Sequence, residues 1–265
     1  MSIHKIKIPS VILAGDRLGG NSLARIFGVK NGVLVKIHGK TCIQRVLESL
    51  DRCGHISDMT IVGLNESSRR LENSLQKATR GHNCKRLPPE AGPAASAVKA
   101  VSAGEQYPCL LTTGDHALLP SGTISEFLET ARHMKGDFIV GLVPYVNVQK
   151  AFPESKRTLL KFAEGVFCGS NLFLIKNQKG VRILEYWRKV ETLRKKPWKI
   201  SRNLGIGFLI RYILGRLTLE KALNTISNHA GAKLRHAIVS NPLAAIDIDS
   251  KADYDLAVNW LTNEN

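Results

Sequence analysis

Short apolar runs bounded by Gly, Pro or Asp alternate along this chain with segments in which apolar residues recur every three or four positions. The runs predict buried strands at residues 11–14, 59–62, 109–112 and 138–143. Residues 33–37 read as extended up to Gly39, and 159–162 and 171–175 as strands flanking a turn at Glu164 and Gly165. The second pattern predicts helices. Ile43, Val46, Leu47 and Leu50 share one face, as do Ile124, Phe127, Leu128 and Ala131, while residues 67–79 make a more exposed helix. Small helix formers fill residues 94–103, after a break at Pro88, Pro89 and Pro93. Residues 245–249 alternate apolar and acidic and predict a late strand; Tyr254, Ala257, Val258 and Leu261 then form one stripe of a closing helix. Strands and helices in this alternation predict an α/β sandwich with a largely parallel sheet.

Composition narrows the partners. A net charge of +16 over 265 residues calls for anionic ligands: nucleotides, phosphorylated metabolites, an anionic membrane surface or nucleic acid. Aromatic residues are sparse and are not interleaved with the basic ones, so stacking platforms are lacking and no nucleic-acid partner is expected. Cys42, Cys53, Cys84, Cys109 and Cys168 are odd in number and scattered, which predicts reduced thiols and a cytoplasmic protein. The apolar stretch after Lys5 and Lys7 is too short for a signal peptide or a spanning helix.

One domain over residues 1–265 is expected, with a basic helical insertion at about 179–236. Within it, residues 204–216 are apolar with basic punctuation and follow Lys195, Lys196, Trp198 and Lys199. That segment suits peripheral contact with an anionic membrane, a core-packed helix or a dimer contact.

Two features carry chemistry. The first strand runs into Gly15, Asp16, Arg17, Leu18, Gly19 and Gly20, with Arg25 beyond. A Gly-rich turn lets backbone N–H groups and guanidinium groups converge on phosphate oxygens. The strand at 109–112 leads to Gly114, Asp115 and His116, which puts a carboxylate at a strand end, where hard cations are held. Asp247 and Asp249 fall on one side of the late strand. His116 reads as a surface histidine.

Taken in order with Gly92-Pro93-Ala94-Ala95-Ser96, Gly169-Ser170-Asn171-Leu172-Phe173 and Asp249-Ser250-Lys251-Ala252-Asp253-Tyr254, these segments resemble the molybdenum-cofactor guanylyltransferase-like (MobA-like) NTP transferases. The resemblance implies a Rossmann-like three-layer sandwich of the GT-A-like nucleotidyltransferase type. It implies Mg²⁺-dependent transfer of a nucleoside monophosphate from an NTP to a phosphorylated acceptor, with release of pyrophosphate. By the same resemblance, Leu13, Ala14, Gly15, Gly19 and Gly20 wrap the triphosphate with Arg17 and Arg25. Gly92 and Ser96 approach the base. Asp115 holds Mg²⁺ with Asp247 or Asp249. Asn171, Arg157 and Lys161 face the acceptor.

Two positions depart from the pattern. Asp16 replaces the second Gly of Leu-Ala-Gly-Gly, and Gly32 stands where the family has a Lys, leaving Lys30 as the nearby substitute. The alternative reading is a catalytically impaired nucleotide- or phosphate-binding protein on the same scaffold.

Overall fold

The computed structural model describes residues 7–16, 20–64, 66–193 and 206–263. In chain order the elements are β1 (Ile8–Leu13), α1 (Ser22–Ile26), β2 (Lys36–Ile37), β3 (Lys40–Thr41), α2 (Cys42–Arg52), β4 (Ile56–Val62), α3 (Arg69–Ala78), β5 (Cys84–Leu87), α4 (Pro93–Gly104) and β6 (Cys109–Thr113). They continue with α5 (Ser121–His133), β7 (Phe138–Pro144), α6 (Tyr145–Ala151), β8 (Leu160–Phe162), β9 (Gly165–Ile175), α7 (Val181–Leu193), α8 (Ile206–Ile213), α9 (Leu219–Ala230), β10 (Leu234–Ile238) and α10 (Lys251–Asn263).

Among the described residues the main sheet has eight strands in the order β10-β7-β9-β6-β1-β4-β5, with β8 paired to β9. All pairings are parallel except those of β9, which runs antiparallel to β6, β7 and β8. Strand side chains alternate between two cores. From β1, Ile8 and Ile12 enter one core and Val11 the other; from β6, Leu110 and Leu111 divide in the same way. Helices α2, α3 and α5 cover the first face with Leu47, Leu75 and Phe127, and α4, α7 and α9 cover the second with Ala97, Leu184 and Leu223. Both faces are covered by helices, which is why the strands read as continuous apolar runs.

After β1 the chain builds outward through β4 and β5, then returns through α4 to place β6 on the other side of β1. The reversal opens a crevice over the C-terminal ends of β1 and β6, where open α/β sheets bind ligands. Two tightly packed glycines lie at these strand ends. Gly114 follows β6, and a Cβ there would meet Ile43 and Val33. Gly63 follows β4 with φ +90°, and a Cβ there would lie 2.7 Å from the Gly15 Cα. Only glycine tolerates both the angle and the contact.

Two expectations need correction. Residues 33–37 do not form one extended strand: Gly32–Leu34 is a 3₁₀ turn, and β2 pairs only with β3. Residues 245–249 are not a strand either. Pro242–Ala245 is a 3₁₀ turn, and the chain then crosses the sheet end, where the Ile248 N–H donates to the Asp115 carbonyl at 3.1 Å. The alternation survives without a strand, because Ile246 and Ile248 are buried while Asp247 and Asp249 turn outward. The described part of the stretch at 179–236 holds α7, α8 and α9 and leads into β10, an edge strand parallel to β7; α7 and α9 pack into the second core.

The cysteines are free thiols, Cys84 being half-buried and the others buried. Burial pushes the Cys42 thiol up to about 12, with Asp115 adding to the shift, and pushes Cys109 up to about 12 and Cys84 to about 11. The thiolate is the reactive form. Iodoacetamide at pH 8 therefore leaves Cys42 and Cys109 unmodified in the folded protein and labels them after unfolding in urea, as intact-mass spectrometry reads out. The Gly63→Ala variant loses about 2–3 kcal/mol of unfolding free energy in urea, with an unchanged denaturant slope.

Candidate active site

Three carboxylates meet above the crevice. Asp115, Asp247 and Asp249 each place one oxygen within 4.8 Å of the others. Asp115 follows β6, and the Thr113 hydroxyl donates to its Oδ1 at 2.5 Å. The Asp115 carbonyl accepts from Ala117 and Ile248, so one residue fixes both its own turn and the Asp247–Asp249 loop. The Ser22 hydroxyl at the start of α1 donates to the Asp249 carbonyl at 3.3 Å, tying the end of the glycine turn to the same loop. Asp253 closes the far side by accepting from the Ser250 N–H at 2.9 Å and the Ser250 hydroxyl at 2.5 Å, in the first turn of α10.

Arg157 serves this cluster. Its Nη1 donates to Asp247 Oδ1 at 2.5 Å, its Nη2 pairs with Asp253, and its Nε donates to the Ser155 hydroxyl at 2.8 Å. The side chain is 6% exposed. Arg157, the residue expected to face the acceptor, holds Asp247 in this structure, which offsets part of the repulsion among the carboxylates.

The glycine turn explains both departures from the family pattern. The Asp16 carboxylate accepts from the Gly32 N–H at 3.0 and 3.3 Å, so it bonds to backbone. Over Gly32 lies the Asn21 side chain, which accepts from the Leu23 and Ala24 N–H groups as the N-cap of α1. A Cβ on Gly32 would lie 2.3 Å from Asn21 Nδ2. The turn is thus stitched to position 32 through Asp16 and Asn21, with no room for a lysine stem. Leu13 is half-buried and Ala14 buried, Gly15 and Gly20 are exposed, and Gly20 has φ +83°. Arg25 and Lys30 are exposed near the turn; Arg17 and Gly19 lie outside the described residues.

On β9, Asn171 has φ +50°, at a register shift against β7 where Leu142 faces Gly169 and Val140 faces Phe173. Gly141 makes room for the irregularity: a Cβ there would lie 2.4 Å from the Ser170 hydroxyl, which donates to the Gly141 carbonyl at 2.9 Å. The strained backbone turns the Asn171 amide to His116 Nε2 at 2.8 Å. His116 is 1% exposed, so it is no surface histidine, and its Nδ1 has no hydrogen-bond partner among the described residues. The sequence signal for His116 was its position next to Asp115, and that for Asn171 was the Gly169–Phe173 segment.

The segment expected near the base is held from two sides. The Ser96 hydroxyl accepts from the Glu90 N–H at 2.9 Å, and the Glu191 carboxylate of α7 lies against Gly92 and accepts from the Ala94 N–H at 3.3 Å. Lys161 is exposed on β8. The sequence thus brings the three Asp residues, the turn, Arg157 and Asn171 to one end of the sheet. Sequence reasoning gave no role to Thr113, Ser22 or Asp253, and preferred a surface His116 to one that orients ligands.

Residues 10–149, more than half of the chain, match the MobA-like NTP transferase domain. The chain belongs to that family. A hypothetical transferase structure from Thermus thermophilus is similar to this MobA-like chain at TM-score 0.79 and 26% identity, covering 94% of this chain and 100% of the other. The 4-diphosphocytidyl-2C-methyl-D-erythritol synthase of Anaerococcus prevotii shares the fold at TM-score 0.60 and 10% identity, over 98% of both chains. A CMP:2-keto-3-deoxy-manno-octonic acid synthetase complexed with CTP does so at TM-score 0.57 and 14% identity, over 98% of this chain and 100% of that one. No curated protein matches the chain.

Restoring the family residue tests the stitched turn. Gly32→Lys displaces the Asn21 cap and costs about 1–2 kcal/mol in urea unfolding, with no gain in nucleotide affinity. A stable Gly32→Lys protein that binds nucleotide more tightly contradicts this account.

Proposed function

We propose that this MobA-like chain transfers a nucleoside monophosphate from an NTP to a phosphorylated small-molecule acceptor, releasing pyrophosphate with the help of Mg²⁺. The observation that carries the reading is the convergence of Asp115, Asp247 and Asp249 within 4.8 Å, beside a glycine-rich turn at the topological switch of the sheet.

The donor set fits a divalent ion. Three hard carboxylate oxygens suit Mg²⁺, and like charges this close favour a cation among them. When bound, Mg²⁺ neutralises charge on phosphate oxygens. The chain's own residues do the rest. An acceptor phosphate oxygen is already anionic at neutral pH, so its attack on the α-phosphorus needs no protein base. That oxygen forms the new P–O bond as the bond to pyrophosphate breaks. The backbone of Leu13, Ala14, Gly15, Gly19 and Gly20, with Arg17 and Arg25, receives the triphosphate, and the Gly92–Ser96 segment receives the base.

Asn171 and Lys161 orient the acceptor, and Lys30 supplies a mobile charge in place of the lysine missing at position 32. Cytidylyl transfer by structural neighbours makes CTP the first nucleotide to try. The second reading, a binding protein with impaired catalysis, is favoured by Gly32.

Pyrophosphate release is measured with each NTP, Mg²⁺ and a panel of phosphorylated alcohols. Turnover with one pair, lowered about a thousandfold in kcat/KM by Asp115→Asn with the fold retained, is the expected result. The same substitution removes the rise in Tm that Mg²⁺ gives the unliganded protein. Nucleotide binding without turnover on any acceptor establishes the second reading instead.

A further inference from the structure

Between Glu191 and Glu220 the chain carries seven basic residues (Arg194, Lys195, Lys196, Lys199, Arg202, Arg211, Arg216) and no acidic one. The described part of this stretch is α8 and the turn after it. Ile210, Ile213 and Leu214 are 50%, 72% and 60% exposed, three of the six exposed large apolar side chains among the described residues. Their spacing puts all three on one face. Arg211 and Arg216 are exposed beside them.

The opposite side of the helix is anchored. The Tyr212 ring meets Phe162 of β8 edge-on at 6.3 Å, Leu217 is fully buried, and the Ala163 N–H donates to the Leu217 carbonyl at 2.9 Å. Docking to the body of the protein therefore uses Tyr212 and Leu217 and leaves the isoleucines and Leu214 outward. No described helix is long and apolar enough to cross a membrane.

Charge chooses the occupant of this face. A two-fold contact with a second copy would set the same basic stretch against itself. A nucleic acid would satisfy the arginines and gain nothing from three aliphatic side chains. An anionic lipid surface satisfies both, with the apolar face at the acyl boundary and the arginines at the head groups. We propose that α8 is a membrane-docking element that seats this protein on an anionic bilayer by Ile210, Ile213 and Leu214, with Arg211 and Arg216 at the lipid phosphates. The inference does not depend on the transferase reading, since it needs neither nucleotide nor metal.

Co-sedimentation of the full chain with phosphatidylcholine vesicles, with and without phosphatidylglycerol, tests it. Binding is expected only to the anionic vesicles and weakens as salt rises. The double substitution Arg211→Gln, Arg216→Gln lowers the partition coefficient about thirtyfold. Ile213→Asp with Leu214→Asp, at exposed positions that leave the circular dichroism spectrum unchanged, lowers it at least as far. No binding at low salt overturns the proposal, as does binding that ignores the two aspartates. Self-association abolished by Leu214→Asp assigns the face to a second copy instead. Oligonucleotide binding that persists in the aspartate variant, without vesicle binding, assigns the charge to nucleic acid.

Discussion

Mutual repulsion among Asp115, Asp247 and Asp249 is the constraint around which this end of the molecule is organised. Three carboxylates within 4.8 Å of one another do not stay together without compensation. The fold supplies it locally. Arg157 neutralises Asp247, Thr113 donates to Asp115, the Ile248 N–H ties the Asp247–Asp249 loop to Asp115, and the Ser22 hydroxyl ties α1 to the same loop. The cost of assembling such a cluster is met by the packing beneath it, where Ile246 and Ile248, alternating with the acidic positions, are buried. The hydrogen bonding that holds these like charges in place is what supports the proposed cation site.

The same economy runs through the glycine turn. In the family pattern a second glycine precedes a lysine-bearing loop; here Asp16 and Gly32 exchange the two demands. The carboxylate that would oppose a triphosphate is tied to the Gly32 N–H, and Asn21 fills the space a lysine stem would need. The two departures are therefore one structural change. Position 32 thus carries no positive charge, and Arg25 and Lys30, which precede it in sequence, are both exposed.

Much of this was legible in the sequence, for physical reasons. Strands β1, β4, β6 and β7 are buried on both faces, so each left an apolar run. Asp247 and Asp249 were legible as a same-side pair because burial of Ile246 and Ile248 imposes period two whether or not the segment pairs as a strand. What stayed hidden depends on contacts far apart in the chain. Strand β5 is short and carries Lys85 and Arg86, so it gave no apolar run, and β10 is a half-buried edge strand interrupted by Arg235 and His236. The burial of His116 against Asn171, the grip of Arg157 on Asp247 and the Asn21 side chain over Gly32 each join residues that no local pattern connects.

The most direct measurement is an anomalous difference map, at the manganese edge, from crystals grown with Mn²⁺ and a non-hydrolysable CTP analogue. The account predicts a single peak between the Asp115, Asp247 and Asp249 carboxylates, with the triphosphate over the turn from Gly15 to Gly20. A metal or nucleotide bound elsewhere on the chain, with those three carboxylates liganding nothing, contradicts it.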